Sequence, residues 1–168
     1  LDKAKSLMSE AGYSESKPLQ LSLTYANIYG TEIGDQLRSQ LKKIGIDLKV
    51  NVVEFSTWLQ DVYTNRNYDI SLVDHNESHD FYQWADPTYY YNYDNKEVQA
   101  LYAKAIAATN DDDRDKLLAE AARKLSEDAP ADWLFNYRIT TAWVNGVQGF
   151  PVAVDIFHIA FDSALIVE

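Results

Sequence analysis

The sequence of 168 residues contains no cysteine. This absence excludes disulfide bonds, thiolate catalysis and zinc sites built from cysteine, although it does not identify a cellular compartment. Glycine is also scarce, with 6 residues, and neither a glycine-rich phosphate loop nor a dinucleotide-binding fingerprint occurs. A nucleophile elbow and a helical His-Glu-x-x-His zinc signature are missing as well. The sequence therefore predicts a protein that is not an enzyme and that needs no cofactor.

Long apolar runs are missing too. The most apolar stretch, 150–167, is interrupted by Asp155, His158 and Asp162, so no transmembrane helix is predicted and no signal peptide is recognised. Acidic residues outnumber basic ones by 26 to 15, which gives a formal net charge of −11. Such a surface repels the phosphates of nucleic acids and anionic lipid headgroups. We therefore expect neither nucleic acid nor direct membrane insertion of this segment.

The order of secondary structure predicts an α/β fold. Alternating apolar and polar residues predict strands at 19–25, 46–55 and 68–73, and helical periodicity predicts a helix in each gap between them. The predicted N-caps of these helices are Thr31 and either Ser56 or Thr57. Helical connections of this length favour parallel strand pairing. The pattern predicts a βαβαβ core with a mostly parallel mixed sheet flanked by helices.

The remainder of the chain is predicted to be mainly helical, with one further strand. A helix is predicted at 3–12, and two more follow residue 95, the second ending before Pro130. Residues 133–144 predict a strand because aromatic residues alternate there, and Asn145-Gly146 predicts a turn. The aromatic residues expected to pack in the core from this strand are Trp133, Phe135, Tyr137 and Trp143.

The segment 74–95 is the candidate ligand-binding region, because it is rich in aromatic and acidic residues and is long for a loop. Loops at the carboxyl edge of a parallel sheet are where open α/β folds bind ligands. If the third strand continues into this segment, His75, Glu77 and His79 share one face and form a candidate divalent-metal set. The other interpretation of these three residues is a polar loop without a metal.

The aromatic residues of this segment can cover apolar or sugar surfaces of a ligand while their polar tips form hydrogen bonds. Most are expected to pack the loop onto the sheet, and one or two are expected to reach the pocket. The candidate ligand-binding residues are Asp74, His75, Glu77, Asp80, Gln83, Trp84 and Tyr89.

The order of segments resembles the C-terminal lobe of extracellular solute-binding proteins of family 5, which include peptide and nickel binders of ABC importers. The resemblance covers nearly the whole chain to residue 150, and the loop is most similar to actinobacterial members. The matching pieces are AKSLMSEAGY, LQLSLTYA, QLRSQLKKIGIDLKVNVVEFSTWLQDV, NYDISLV, ADPTYYY, the helical stretch from NKEVQALYAKA to RKLSEDAPADWLFN, and VNGVQGF.

The resemblance implies a lobe of the periplasmic-binding-protein type II kind, formed by residues 1–150, in a larger two-lobe protein. Residues 151–168 would be a tail that returns to the other lobe. The protein would be extracytoplasmic, in the periplasm or lipid-anchored at the cell surface through an N-terminal part outside this sequence. It would hold a peptide or similar polar solute between its lobes and deliver it to a membrane permease.

One departure from the family concerns the cargo. In the peptide-binding members, an Asp four residues before the Pro of the Asp-Pro step holds the α-ammonium group of the peptide. That position is Gln83 here, and Asp74, Glu77 or Asp80 are candidates to replace its charge. Two alternative functions stay open at this point: a divalent-metal-binding domain that uses His75, Glu77 and His79, and an interaction module that self-associates through its apolar tail.

Overall fold

The computed structural model describes residues 1–75, 77, 79–136, 138, 140, 142, 144–148 and 166–167. The chain divides into two compact units, 1–130 and 131–168.

A parallel sheet of three strands lies at the centre of the first unit. Its strands are β1 (Leu19–Ala26), β2 (Ile46–Val53) and β3 (Ile70–Leu72). The strand order is β2-β1-β3, so β1 is central. Residue 19 pairs with 46 along one side of β1, and residue 23 pairs with 70 along the other. The βαβαβ order and the parallel pairing predicted from the sequence are confirmed.

Helices connect and follow these strands. They are α1 (Asp2–Glu10), α2 (Thr31–Lys42), α3 (Phe55–Trp58) continuing as a π-helical segment (Leu59–Thr64), α4 (Tyr82–Ala85), α5 (Lys96–Ile106) and α6 (Asp111–Asp128). The side chains of Asn95 and Asn110 cap α5 and α6, because each accepts a hydrogen bond from backbone N–H groups of the first turn.

The predicted caps of α2 and α3 are wrong. Gly30 and Glu54 hold the extended backbone that precedes each helix, and neither cap position forms a side-chain hydrogen bond. Thr31 is already the first helical residue of α2, and Ser56 and Thr57 lie inside α3. The hydroxyl groups predicted to cap therefore belong to helical residues, one or more positions too late in the chain to act as N-caps.

One face of the sheet packs against α2. The buried residues of this α2-side cluster are Leu23, Tyr25 and Leu48, with Leu37 and Leu41 of α2 packed on them. Gly34 allows the close approach of helix and sheet, because a Cβ atom at this position would lie 2.6 Å from Tyr25 Oη and 2.7 Å from Val50 Cγ1.

A second cluster, the aromatic cluster, contains the buried residues Ala26, Trp58, Val62 and Tyr90. The indole Nε1 of Trp58 donates to Ser71 Oγ at 2.9 Å. The π-helical turn places Tyr63 near Trp58, five residues earlier, with ring centroids 6.4 Å apart. Tyr63 also reaches the ring of Tyr90 at 4.9 Å. The aromatic cluster thus joins the sheet to the loop that follows β3.

In the second unit, residues 131–136 form neither helix nor strand. The strand predicted at 133–144 is therefore wrong over its first residues, and the core packing predicted for Trp133 and Phe135 is wrong as well, because they are 60% and 55% exposed. Alternation alone does not make a strand, since a strand also needs a neighbour to pair with. Tyr137 and Trp143 lie outside the described residues.

Two short strands lie in the described part of the second unit. The predicted turn at Asn145 and Gly146 is present, with Gly146 at φ 96°. It leads into β4 (Val147–Gln148), which pairs in antiparallel fashion with β5 (Ile166–Val167). Most of the tail predicted at 151–168 lies outside the described residues. The lobe boundary at residue 150 and self-association through the tail stay predictions.

Candidate functional site

The candidate site begins where β3 ends. The last residue of β3, Leu72, pairs with Tyr25, and β1 itself ends at Ala26. Among the described residues the third strand ends at Leu72, within the predicted range of 68–73, so the condition under which His75, Glu77 and His79 share one face of a strand is not met. The chain instead turns away, and the backbone N–H of Asp74 donates to Tyr29 Oη at 2.8 Å.

The candidate metal set of His75, Glu77 and His79 is not assembled in the part of the chain that the structure describes. His79 adopts a left-handed backbone conformation with φ 59°, which breaks the alternation on which the prediction depended. Among the described residues, which include His75, Glu77 and His79, no group of three His, Cys, Asp or Glu side chains is placed to hold a metal ion.

His75 contacts two side chains of the same segment. Its Nδ1 lies 3.2 Å from Glu77 Oε2, and its Nε2 lies 2.7 Å from Tyr90 Oη. Tyr90 is 4% exposed, and burial raises the pKa of its hydroxyl, with further repulsion from the neighbouring tyrosines. The phenol of Tyr90 consequently stays neutral and fixes one edge of the imidazole ring.

Gln83 is the buried polar residue at the centre of the site, with 1% of its surface exposed. Its Nε2 donates to Glu77 Oε2 at 3.3 Å, and its Oε1 accepts from Tyr91 Oη at 2.7 Å. Partial desolvation raises the pKa of Glu77, but the hydrogen bonds from His75 and Gln83 outweigh it and leave this pKa below its usual value. Glu77 is therefore ionised at neutral pH, and 53% of its side chain is exposed.

Aromatic rings border this hydrogen-bonded group. Trp84 stacks on Tyr91 with ring centroids 4.2 Å apart, and Tyr89 meets the edge of Tyr91 at 4.7 Å. Tyr89 also contacts the exposed ring of Tyr82 at 6.4 Å. Burial raises the pKa of Tyr89 and Tyr91 well above the usual range. The hydroxyl groups of Tyr89 and Tyr91 are therefore uncharged, so the negative charge beside these two rings is that of the carboxylates.

Two acidic residues of the segment have different surroundings. Asp86 accepts hydrogen bonds from the backbone N–H of Thr88 at 2.8 Å and from its hydroxyl at 2.6 Å. These bonds lower the pKa of Asp86 and shape the turn before the tyrosine run. Asp80 is partly buried in the turn before α4, where its negative charge is close enough to raise the pKa of Tyr91. The role assigned to Asp80 in ligand binding stays a prediction.

The structure brings His75, Glu77 and Gln83 of the predicted site residues into one hydrogen-bonded group. Trp84 and Tyr89 contact the ring of Tyr91, which is hydrogen-bonded to Gln83 of that group. Asp74 contributes a hydrogen bond from its backbone N–H to Tyr29. Sequence reasoning missed the parts played by the hydroxyl groups of Tyr29, Tyr90 and Tyr91. The available signal was the uninterrupted run of tyrosines at 89–91. No helix of the described residues has the length and apolar character needed to cross a membrane.

Comparison with known sequences identifies a family. Residues 1–99 match the profile of bacterial extracellular solute-binding proteins, family 5 Middle. The periplasmic oligopeptide-binding protein OppA of Escherichia coli is 27% identical over 160 residues, which are 88% of this chain and 29% of that protein. The periplasmic murein peptide-binding protein MppA of the same organism is 30% identical over 167 residues, 89% of this chain and 29% of that protein.

Comparison with solved structures identifies the fold. The crystal structure of Haemophilus influenzae OppA in complex with RPPGFSPFR has a TM-score of 0.66 at 28% identity, and the match covers 76% of this chain and 27% of OppA. The predicted lobe of the periplasmic-binding-protein type II kind is confirmed by this likeness. The chain spans less than a third of the length of these relatives. The chain belongs to family 5 of the bacterial extracellular solute-binding proteins.

Proposed function

We propose that this chain is the C-terminal lobe of a solute-binding protein that serves an ABC importer. It captures a small polar solute, a peptide or a similar molecule, between two lobes and delivers it to a membrane permease. The observation that carries the proposal is the hydrogen-bonded group of His75, Glu77 and Gln83 at the carboxyl edge of the parallel sheet. A ligand crevice of an open α/β sheet lies at this edge.

The segment 74–91 supplies the wall of the pocket on this lobe. Glu77 and Asp80 accept hydrogen bonds from donor groups of the solute, each contributing about 1.5–3 kcal/mol when the bond is charge-assisted. Trp84 and Tyr89 cover apolar surface of the solute. Asp74, His75 and Gln83 complete the wall. His75 and Gln83 also hold the carboxylate of Glu77 in place through hydrogen bonds. The described residues give no support to a metal site here.

The location and partners follow from the family. Its members are extracellular or periplasmic binding proteins. We propose in addition a lipid anchor outside this sequence, a permease as the macromolecular partner, and residue 150 as the end of the lobe. We also propose that the protein binds and releases its solute unchanged, as a binding protein does.

The isolated chain is expected to bind its solute weakly. A micromolar complex requires about 8 kcal/mol of binding free energy. Two charge-assisted hydrogen bonds and two rings on one wall supply only part of it, since the opposite lobe and the exclusion of water are both missing. We therefore expect millimolar affinity or none for this chain alone.

A thermal-shift screen tests the proposed function. The complete protein and this chain are each screened against peptide, oligosaccharide and divalent-metal libraries. A rise in the melting temperature of the complete protein with one solute class, without a rise for the chain alone, supports a two-lobe binder and identifies its cargo class. A micromolar calorimetric isotherm of the chain alone contradicts the proposal.

A further inference from the structure

The face of the sheet that lies opposite α2 carries polar side chains. Leu23 and Tyr25 of β1 belong to the α2-side cluster. Because side chains alternate along a strand, their neighbours Ser22 and Thr24 lie on the other face. Thr24 pairs with Asn51 of β2, and Asn51 Nδ2 donates to Thr24 Oγ1 at 3.3 Å. Parallel sheets usually have both faces covered by apolar side chains, so this row of hydroxyl and amide groups departs from the usual pattern.

An open cleft of about 540 Å³ lies against this polar face, and its volume is within the range of about 300–1,000 Å³ that is typical of small-molecule sites. Further lining comes from Asp61 of the π-helical segment and from Arg66 and Asn67 of the turn after it. Arg66 has a left-handed backbone at φ 54°, and the backbone N–H of Asn67 donates to Asp61 O at 2.9 Å. The turn thereby brings the three side chains to one cleft. None of the described lining residues belongs to the segment 74–91, so the cleft is separate from the candidate site.

Much of the hydrogen-bonding capacity of this cleft is unused. In the part of the chain that the structure describes, the side chains of Asp61 and Asn67 form no hydrogen bond or ion pair. Asp69 Oδ2 accepts from the hydroxyl and the backbone N–H of Ser22, both at 2.8 Å, while its Oδ1 stays open. These two bonds lower the pKa of Asp69, so its carboxyl group is ionised at neutral pH. The guanidinium of Arg66 has five N–H donors and gives one of them to a backbone carbonyl.

This set of groups fits a neutral molecule that is rich in hydroxyl groups. The carboxylates of Asp61 and Asp69 disfavour an anion, and the guanidinium of Arg66 disfavours a cation. Val53 is the one aliphatic side chain among the described lining residues, which is too little to hold an apolar solute. A hydroxyl group both donates and accepts, so neighbouring hydroxyl groups can donate to the two carboxylates and accept from Arg66 and Asn67.

Two residues of the cleft also hold the wall of the candidate site. Arg66 Nη2 donates to Thr88 O, and Tyr68 Oη donates to Tyr90 O at 2.6 Å. Both Arg66 and Tyr68 line the cleft. The cleft is therefore built in part from residues that also position the tyrosine run at 89–91.

We propose that this cleft is a second solute site, for a neutral carbohydrate or a similarly hydroxylated molecule. Asp61 and Asp69 accept hydrogen bonds from its hydroxyl groups, and Arg66 and Asn67 donate to its oxygen atoms. The inference goes beyond the proposed function, because it needs neither an opposite lobe nor a residue of the segment 74–91. An open site leaves much of its ligand in water, so millimolar affinity is expected.

Saturation-transfer difference NMR on the complete protein tests the second site, because this method detects weak ligands on large proteins. The probes are glucose, N-acetylglucosamine, maltose and trehalose. Tetraethylene glycol is the control probe, since it has ether oxygens but no adjacent pair of hydroxyl groups. We expect saturation transfer to at least one of the sugars and none to the glycol.

Two variants locate the bound sugar. Asp61→Ala should weaken its binding roughly tenfold or more, the loss of a charge-assisted hydrogen bond, and Asn67→Ala should weaken it roughly two- to tenfold. Both variants should keep the melting temperature of the unchanged protein, because neither side chain has a partner among the described residues. Asp112→Ala removes an equal charge from an exposed position on α6, and this matched control should leave the affinity unchanged.

The outcomes are independent of those for the proposed function. A lack of saturation transfer to all four sugars, or equal transfer to the glycol, overturns the second site. Sugar binding that survives both Asp61→Ala and Asn67→Ala overturns it as well, because the sugar is then bound elsewhere. Weaker binding in these two variants together with unchanged binding in Asp112→Ala supports the second site, whichever solute the complete protein captures between its lobes.

Discussion

The α2-side cluster and the aromatic cluster both contact β1, yet they are stabilised differently. In the α2-side cluster, Leu23 and Leu48 pack against aliphatic side chains of α2, and the hydroxyl of Tyr25 donates to Gly30 O at 3.3 Å. In the aromatic cluster, ring contacts are combined with shorter hydrogen bonds, such as that from Tyr68 Oη to Tyr90 O at 2.6 Å. The stability of the α2-side cluster depends mainly on the apolar area that it buries. The stability of the aromatic cluster depends in addition on the orientation of its rings and hydrogen-bonding groups.

The difference bears on function because a buried residue of the aromatic cluster also contacts a residue of the candidate site. Tyr90 belongs to the cluster and also contacts His75 at 2.7 Å. Every buried side-chain nitrogen and oxygen of the described residues has a hydrogen-bond partner. A change in the α2-side cluster should therefore alter stability alone, while a change in the aromatic cluster should alter both stability and the geometry around His75 and Glu77.

The largest expected effect is that of Leu23→Ala in the α2-side cluster. Leu23 is 1% exposed, and truncation of a buried leucine costs about 2–5 kcal/mol of unfolding free energy. Urea denaturation followed by circular dichroism measures the loss. The NMR signals of Glu77 should stay in place in the folded variant, and their displacement would contradict the separation of the two clusters.

Next in size is Trp58→Phe in the aromatic cluster. The change removes the indole N–H that donates to Ser71 Oγ and reduces the edge-to-face contact with Tyr90, so we expect a loss of about 1–3 kcal/mol. Here the signals of His75 should shift as well. Phe55→Leu is the control, because Phe55 stacks on Trp58 from a position that is 46% exposed, and its effect should stay near 0.5 kcal/mol.

A smaller effect on stability is expected from Tyr90→Phe, which removes one hydroxyl and keeps the ring. The loss should be about 1 kcal/mol, the contribution of an ordinary hydrogen bond. The NMR signals of the His75 imidazole ring should shift because Nε2 loses its partner at 2.7 Å. Tyr82→Phe at an exposed ring should leave these His75 signals in place, and an equal shift in both variants would count against the contact.

The smallest effect concerns pH. The pKa of Glu77 is lowered in the folded state, so its ionisation adds stability above the unfolded pKa, and this contribution is lost as pH falls through the folded pKa. Because 53% of the side chain is exposed, solvent screening limits the contribution to less than about 1 kcal/mol. Stability measured in urea from pH 7 to pH 3 should fall slightly less in Glu77→Gln than in the unchanged chain. Identical pH profiles would contradict the prediction.

The central part of the fold could be predicted because its signals are local. The alternation of Leu19, Leu21 and Leu23 predicts β1, and the acidic start of α6 predicts a helix N-terminus. The caps could not be placed, because a hydroxyl one residue inside a helix looks the same in sequence as a cap. Trp133 and Phe135 alternate like strand residues, but no local pattern reveals whether a neighbouring strand is present.

The candidate site could be located but not assembled from the sequence. The segment after the third strand stands out by composition, and His75, Glu77 and Gln83 were all singled out. The arrangement of these three residues depends on Tyr90 and Tyr91, which follow them in the chain by seven or more positions and whose side chains return through a turn. The left-handed backbone conformation of His79 could not be predicted either, because the alternation of His75, Glu77 and His79 was interpreted on the assumption of a straight strand.

The π-helical segment makes the site depend on the length of the chain. Tyr63 lies beside Trp58 and meets the rings of Tyr89 and Tyr90, because the wider turn brings residues five apart onto one side. We expect that deleting a single residue between them restores an ordinary helical turn and places a different side chain against the tyrosine run. Within this fold, an insertion or deletion of one residue behind the pocket can thus change the pocket wall without any substitution in the wall itself.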